Sequence, residues 1–144
     1  MVKIERAGAQ LADREIERLE QQLGVKLPDG YKRFLMANNG GRPRPDTIDV
    51  EGLPGSPTDI KIFLGLGRQI ETSNIDWHLN LPANRLPKHL LPIASDSGGN
   101  LFCIRVHGAE YGSVIYADFR EEVAIYDVAR SFDEFLEKIR NLQP

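Results

Sequence analysis

The sequence predicts an α+β fold, in which a twisted antiparallel sheet packs against two N-terminal helices and one C-terminal helix. Three observations carry this prediction. Apolar residues recur at helical spacing in residues 11–41, four short apolar runs are separated by turn residues in 90–127, and helical spacing returns in 131–142. The order of two helices, strands and a helix, with no internal repeat or linker, predicts a single domain over residues 1–144.

The first helix follows from one apolar stripe and the residue that ends it. In residues 11–24, Ile16, Leu19 and Leu23 lie on one helical face. Gly24 suits the left-handed conformation in which many helices end.

The second helix is predicted in residues 27–41, directly after a short joint. Pro28 suits its first turn, where a backbone N–H would have no helical partner. Tyr31, Phe34 and Leu35 form the buried stripe, and the Asn-Asn-Gly-Gly sequence at 38–41 ends the helix. We therefore expect two short helices packed as a pair.

The middle of the chain gives weaker signals. Residues 41–57 are rich in Pro, Gly and Asp, which predicts a loop with one short strand at 47–50. Residues 59–67 alternate and predict a strand. Residues 68–89 leave two alternatives open, a short helix or a loop, because their prolines exclude a long helix.

Four strands are predicted at 90–95, 100–106, 112–119 and 122–127. Both faces of the 100–106 run are apolar, which predicts a central strand with one face covered by helices. One face carries Phe102, Ile104 and Val106, and the other carries Leu101 and Cys103. The next run should pair antiparallel with it through the turn at 107–112.

The closing helix starts at a capping box, in which Ser131 is followed three residues later by Glu134. Its apolar residues recur at helical spacing and should pack on the sheet. They are Phe132, Phe135, Leu136 and Ile139.

Composition limits the function classes. The chain has 41% hydrophobic and 27% charged residues, no apolar run long enough to span a bilayer, and no apolar segment typical of a secretory signal near its N-terminus. Its lone cysteine, Cys103, excludes an intrachain disulfide and a cysteine-cluster metal site. We expect a cytoplasmic protein with no cofactor, no metal and no membrane partner.

The charge distribution points to a protein partner rather than to nucleic acid. The net charge is −3, and residues 107–144 contain eight acidic against four basic residues. Direct nucleic-acid binding requires a basic surface, which this distribution does not provide. An acidic surface is compatible with a basic protein partner, although the same residues could simply be a solvated face.

The turn at 95–99, Ser-Asp-Ser-Gly-Gly, could be a phosphate cradle, a catalytic turn or a bend between strands. A phosphate loop needs its glycines to open a helix, but these precede a strand, and the Walker lysine is missing. A nucleophile elbow needs Gly-x-Ser-x-Gly between a strand and a helix. We therefore predict a turn between neighbouring strands, in which Asp96 and Asn100 bond to backbone groups.

The assembled motifs resemble the SMI1/KNR4 (SUKH) superfamily. They are Leu-Pro-x-x-Tyr-x-x-Phe-Leu ending in Asn-Gly-Gly, then Ile-Ala-x-Asp-x-Gly-Gly-Asn, then Ser-Phe-x-x-Phe-Leu. They cover both ends and the second half of the chain. Ala117 stands where the family commonly has an aromatic residue, and residues 42–85 match no family motif.

The resemblance implies an α+β fold with helices on a twisted antiparallel sheet. Many bacterial members resemble immunity proteins that bind and neutralise a toxin, often a nuclease, and eukaryotic relatives are regulatory scaffolds. No catalytic residue comes with the resemblance. The matching positions correspond to helix caps, turns and core.

The histidines and the cysteine are residue types that often bind metals or react, but here they are better explained as structural residues. His78, His89 and His107 have no second ligand at i+2 or i+4, so we expect no metal site. Cys103 lies between apolar neighbours and is expected to be a buried thiol. Trp77 is open to two interpretations: an interface anchor, or a side chain that fixes a loop to the core.

Six acidic residues complete the candidate partner-binding set with Trp77. Asp46, Asp49 and Glu51 lie in the predicted loop, and Asp118, Glu121 and Glu122 follow a strand. Together they could form an acidic patch that faces a basic toxin. The sequence does not establish that the two groups meet.

Three functions remain open. The leading hypothesis is a non-enzymatic module that binds a protein partner, most simply a toxin-neutralising immunity protein, and the second is a regulatory scaffold unrelated to a toxin. The third is an enzyme or small-ligand binder that uses Asp96, Ser97 and Asn100 near a cleft, which predicts a pocket where titratable groups converge. The sequence gives no indication of oligomeric state.

Overall fold

A computed structural model describes residues 2–81 and 86–143. The chain forms four α-helices, nine short strands and one 3₁₀ turn in the described residues. In chain order these are β1 (Lys3–Glu5), α1 (Asp13–Leu23), α2 (Asp29–Asn38), β2 (Arg42–Arg44), β3 (Thr47–Ile48), β4 (Thr58–Asp59), β5 (Ile62–Phe63), the 3₁₀ turn (Glu71–Ser73), α3 (Ile75–Leu79), β6 (Leu90–Ser95), β7 (Leu101–Arg105), β8 (Val114–Asp118), β9 (Ala124–Ala129) and α4 (Phe132–Lys138). The predicted α+β class is confirmed.

The main sheet has five antiparallel strands in the order β5-β6-β7-β8-β9. The predicted central strand is β7, which pairs with β8 through the expected turn. Two small antiparallel pairs, β1 with β2 and β3 with β4, lie outside this sheet. Because neighbouring strands run in opposite directions, the β6–β7 and β8–β9 turns lie at the same end of the sheet.

The two faces of β7 bury different clusters, as the alternation predicts. Phe102 and Ile104 belong to the larger core with α1, α2 and α4, and the Phe102 ring lies 5.4 Å from that of Phe135 in α4. Leu101 and Cys103 belong to a smaller cluster on the opposite face. Burial raises the pKa of the Cys103 thiol, so at neutral pH it is a protonated apolar side chain.

Local signals at the helix ends are also confirmed. Gly24 ends α1 in the left-handed region, with φ of 70°. Asn39 ends α2 with φ of 49°, and its side chain exchanges two hydrogen bonds with the backbone of Leu66, at 3.0 and 2.7 Å. At α4, Ser131 Oγ accepts the Glu134 N–H at 3.1 Å.

The structure differs from the prediction at one place in the middle region and at one place near the N-terminus. The run at 59–67 is not one strand, because the chain changes partner within it: β4 pairs with β3, and Lys61 N–H then donates to the Ser95 carbonyl as β5 joins β6. The strand β1 was not predicted, since three residues give too short an alternation. For residues 68–89, α3 settles the open alternative in favour of a short helix, and residues 82–85 lie outside the described residues.

Among residues 2–81 and 86–143, no helix combines the length and apolar character needed to cross a bilayer.

Candidate partner-binding surface

A cleft of about 640 Å³ opens at the end of the sheet where the β6–β7 and β8–β9 turns lie. Its third wall is the segment of residues 46–59, which we call the rim loop. Polar residues on the cleft wall come from all three segments: Asp46, Asp59, Asp96, Ser97, Asn100, Tyr116 and Arg120. Leu53, Pro54 and Pro57 make the rim-loop side apolar.

The Asp96 carboxylate lies at the base of this cleft and is 4% exposed. Its Oδ1 accepts the backbone N–H groups of Gly98 and Asn100 at 3.0 and 2.8 Å. Its Oδ2 accepts the hydroxyls of Thr58 and Tyr116 at 2.9 and 2.5 Å. Four donors from the protein therefore satisfy the buried carboxyl oxygens, as a buried polar group requires.

Asn100 extends this arrangement across to β8. Its Nδ2 donates to the Tyr116 hydroxyl at 2.9 Å, and its Oδ1 accepts the Phe119 N–H at 2.9 Å. The predicted bonding of Asp96 and Asn100 to backbone groups is confirmed. We call Asp96, Thr58, Asn100 and Tyr116 the Asp96 network.

The pKa of Tyr116 is raised, first by burial and second by its hydrogen bond to the Asp96 carboxylate. Both effects disfavour the phenolate, so the hydroxyl stays protonated at neutral pH and donates to Asp96. The network thus has its donors and acceptors directed at one another.

The cleft predicted by the small-ligand hypothesis is present, and Asp96, Ser97 and Asn100 line it. However, the Ser97 hydroxyl donates to the Asp59 carboxylate, whose other oxygen accepts the Ser97 N–H at 2.8 Å. None of the described residues that line this cleft is a histidine. Within the described part of the chain, no group of three or more His, Cys, Asp or Glu side chains is placed to hold a metal ion.

The rim loop is tied down at both ends. At its C-terminal end, Thr58 bonds to Asp96 and Asp59 bonds to Ser97. At its N-terminal end, Thr47 exchanges two backbone hydrogen bonds with Arg140, at 3.0 and 2.8 Å. The Arg140 guanidinium also donates to both Asp49 carboxylate oxygens, at 2.8 and 2.9 Å, and thereby lowers the pKa of Asp49.

Of the predicted acidic residues, Asp46 lines this cleft. Asp118 does not line it, but its carboxylate binds Arg120, which does. A second groove holds Asp49 and Glu51 beside β9. Asp46, Asp49 and Glu51 are exposed on the rim loop.

The acidic residues after β8 differ in accessibility. Asp118 is 6% exposed, and its carboxylate binds the Arg120 guanidinium at 2.8 Å. This hydrogen bond lowers the pKa of Asp118. Glu121 and Glu122 follow in the turn and are exposed.

Trp77 lies apart from these acidic residues. It is half-buried on α3, which packs against β6, and its ring meets His78 edge-on at 4.9 Å. Ile75 fixes α3 in the larger core. Asp49, Glu51, Asp118, Glu121 and Glu122 lie around β8 and β9, on the other side of β7, whereas Asp46 lies beside Asp59 and Ile60.

Sequence reasoning missed the partners that shape the cleft. Thr58 and Asp59 contact residues 38 positions away in the chain, and no local pattern indicates such a contact. Tyr116 could have been found, because its alternation in β8 places it on the same face as Phe102, whose ring is 5.1 Å away. Arg120 also had a local signal, since an arginine two residues after an aspartate in a turn can reach its carboxylate.

Comparison with known proteins identifies the family. The model of the SMI1 / KNR4 family (SUKH-1) matches residues 10–138. The chain belongs to the SMI1/KNR4 family. It is also similar to the SPbeta prophage-derived uncharacterized protein YokK of Bacillus subtilis (strain 168), with 25% identity over 139 residues, covering 85% of this chain and 71% of YokK.

Family membership confirms the resemblance found in the sequence. The matched region includes the Ile-Ala-x-Asp-x-Gly-Gly-Asn motif, whose Asp and Asn are Asp96 and Asn100. In this structure both residues hold the turn at the base of the cleft. This part of the family signature therefore stabilises the fold of the cleft.

Proposed function

We propose that this chain is a non-enzymatic protein-binding module that neutralises a cognate protein toxin as an immunity protein. Membership of the SMI1/KNR4 (SUKH-1) family supports the proposal, because this family is associated with immunity to polymorphic toxins. The proposed binding surface is the cleft with its rim loop and the β8–β9 turn.

The observation that carries the proposal is the contrast between the base and the rim of the cleft. The base is the hydrogen-bonded Asp96 network, whose side chains bind one another. The rim presents exposed carboxylates from Asp46 and Glu51, and neither forms an ion pair within the described residues. Binding groups are thus directed outward, where a protein can reach them.

The sign of the charge favours a basic partner. Asp46 and Glu51 on the rim loop and Glu122 after β8 are acidic, and Arg120 is engaged by Asp118. A nuclease domain is typically basic because it holds phosphates, so an acidic inhibitor is attracted to the surface that it must cover. We propose that Asp49, Asp118 and Glu121 contribute to this surface, Asp118 by orienting Arg120.

Trp77 lies on α3, away from the acidic residues of the cleft. We propose it as a second contact on α3, because half-buried tryptophan rings are common anchors in protein interfaces. A partner that contacts both Trp77 and the rim loop would have to extend along the sheet from α3, beside β6, to the cleft. Trp77→Ala should then weaken binding independently of the acidic substitutions.

Co-expression tests the function directly. The chain should restore growth to cells that express the product of the adjacent reading frame, and the two proteins should co-purify. The double substitution D46K/E51K should abolish rescue, whereas Glu17→Lys, an exposed glutamate on α1, should retain it. A neighbour that is not toxic and forms no complex would contradict the immunity role and favour a regulatory scaffold.

A further inference from the structure

The two edge strands of the main sheet differ in whether another segment of the chain pairs with their outer side. At the β5 edge, the Gly41 N–H donates to the Phe63 carbonyl at 3.1 Å and the Phe63 N–H donates to the Gly41 carbonyl at 2.7 Å, so another segment covers β5. At the opposite edge, β9 pairs with β8 and with no further strand of the described residues. The outer side of β9 is therefore the open edge of the sheet.

The hydrogen-bond alternation shows which β9 residues point outward. The backbone of Arg105 exchanges hydrogen bonds with the segment before β8. The N–H and C=O groups of odd-numbered β7 residues therefore point towards β8. The N–H and C=O groups of even-numbered β8 residues then point towards β9, so Tyr116 and Tyr126 form a backbone hydrogen-bonded pair. Ile125 and Asp127 consequently direct their N–H and C=O groups away from the sheet, and no described residue bonds to these four groups.

This open edge has a defined end. A β-bulge between Val114 and Ile115 of the partner strand places Val128 out of register. The Val128 carbonyl is occupied by Lys138 Nζ, which donates to it at 2.7 Å. The unpaired edge is thus confined to residues 124–127, long enough for a short strand to add.

A groove of about 690 Å³ runs beside this edge, between the rim loop and α4. Asp127 and Val128 form its β9 wall, and Glu51, Leu53 and Pro54 form the rim-loop wall. An exposed strand edge and an adjacent groove are the two requirements for binding an extended peptide by strand addition.

The charges around the edge select the kind of peptide. Glu51, Glu122 and Asp127 are exposed acids, and the Asp127 carboxylate also accepts a hydrogen bond from Arg105 Nη1, at 3.3 Å. Lys138 is held by the Val128 carbonyl and Glu134, and Arg130 lies beyond the bulge. Ile125 adds an apolar side chain that is 42% exposed.

We propose that an extended, basic segment of the protein partner adds to β9 as a sixth strand, bonding to the outward backbone groups of Ile125 and Asp127. Ile125 lies on the face of the smaller cluster, whereas Tyr126 and Val128 lie on the face of the rim loop. Alternate side chains of the added strand therefore place apolar residues beside Ile125 and lysine or arginine on the rim-loop face, near Glu51. This inference rests on the proposed role as a protein-binding module and names the part of the partner that is bound.

An NMR titration of the full chain tests the inference without the toxin. The probe is an acetylated and amidated peptide, Lys-Val-Lys-Val-Lys-Val-Lys, added to millimolar concentration. The Ile125 and Asp127 amides should shift and exchange at least about tenfold more slowly when peptide is bound, since they become strand donors. The Tyr126 amide, already bonded to β8, is the internal control and should exchange at an unchanged rate.

A pair of substitutions at one position separates the backbone from the side chain. Ile125→Pro removes an outward N–H without touching a bond to β8, so the fold should persist while the peptide response is lost. Ile125→Ala keeps the N–H and should retain the response. If Ile125→Pro does not fold, the titration of the unsubstituted chain still decides.

Three results would overturn the proposal: no change at Ile125 and Asp127 with the Lys-Val peptide, an equal response to a Glu-Val peptide, or protection that rises with protein concentration in the absence of peptide. The last result would show that a second copy occupies β9. Each can occur while co-expression still rescues growth, so failure here is distinct from failure of the immunity role.

Discussion

Asp96 and Asp46 line the same cleft, but their surroundings give them different roles. Asp96 is 4% exposed and accepts four hydrogen bonds from the protein, whereas Asp46 is exposed on the rim loop. Burial turns one carboxylate into a structural link between three chain segments. Exposure leaves the other available to a partner. The same side-chain type thus stabilises the fold where it is buried and stays accessible to solvent where it is exposed.

The largest expected effect comes from removing the buried carboxylate. Asp96→Ala leaves four donors without their acceptor, and we expect a loss of about 3 kcal/mol or more in the free energy of unfolding. Urea denaturation at pH 7 measures it. Asp46→Ala in the same cleft is the matched control and should change stability by less than about 0.5 kcal/mol. Equal losses in the two variants would contradict the contrast.

The next effect concerns the hydroxyl that joins Asp96 to Asn100. Tyr116→Phe removes one donor and one acceptor but keeps the ring, which packs against Phe102. We expect a loss of about 1–2 kcal/mol in the same urea experiment. Tyr126→Phe on β9 is the control, because its hydroxyl has no hydrogen bond to a described residue. A Tyr116→Phe variant as stable as the control would show that the network adds little to stability.

A smaller effect should appear at low pH. The hydrogen bond from Arg120 lowers the pKa of Asp118 below its usual value. A carboxylate whose pKa is lowered by folding stabilises the protein above the unfolded pKa of about 3.9, and that contribution is lost as the pH falls through the lower, folded pKa. Thermal melts from pH 6 to pH 2.5 should show Arg120→Gln losing less stability on acidification than the unsubstituted chain. Identical pH profiles would mean that the pair does not contribute.

The smallest effect on stability is expected at the surface of the β8–β9 turn. Reversing the charge of Glu121 and Glu122 to lysine should change the free energy of unfolding by less than about 0.5 kcal/mol. The same double variant should bind the proposed toxin partner more weakly, with a weaker dependence on salt, because two attractive charges are removed. Binding calorimetry at two salt concentrations measures the affinity and its dependence on salt. Unchanged affinity would remove these residues from the binding surface.

Much of the fold could be predicted because local patterns determine it. The alternation of residues 100–106 correctly placed Phe102 and Cys103 on opposite faces of a central strand. The region around Ile60 could not be predicted, because its alternation does not tell which strand each residue pairs with. There the chain leaves β3 and joins β6 within two residues.

The candidate site was predictable only in part, for the same reason. The turn chemistry of Asp96 and Asn100 depends on residues within four positions and was confirmed. The joining of Thr58 to Asp96 spans 38 residues and depends on the whole fold. The assignment of the acidic residues and Trp77 to partner binding remains a prediction.

The anchoring of the rim loop at both ends affects how rapidly this protein could diverge. A loop already ordered in the free protein loses little conformational entropy when a partner binds, so affinity need not be spent on fixing its shape. Its anchors, Thr47 and Thr58, are not its exposed residues. If Asp46 and Glu51 contact the partner as proposed, substitutions at either can alter specificity while the scaffold stays the same. The fold would then allow the binding surface to diverge faster than the core.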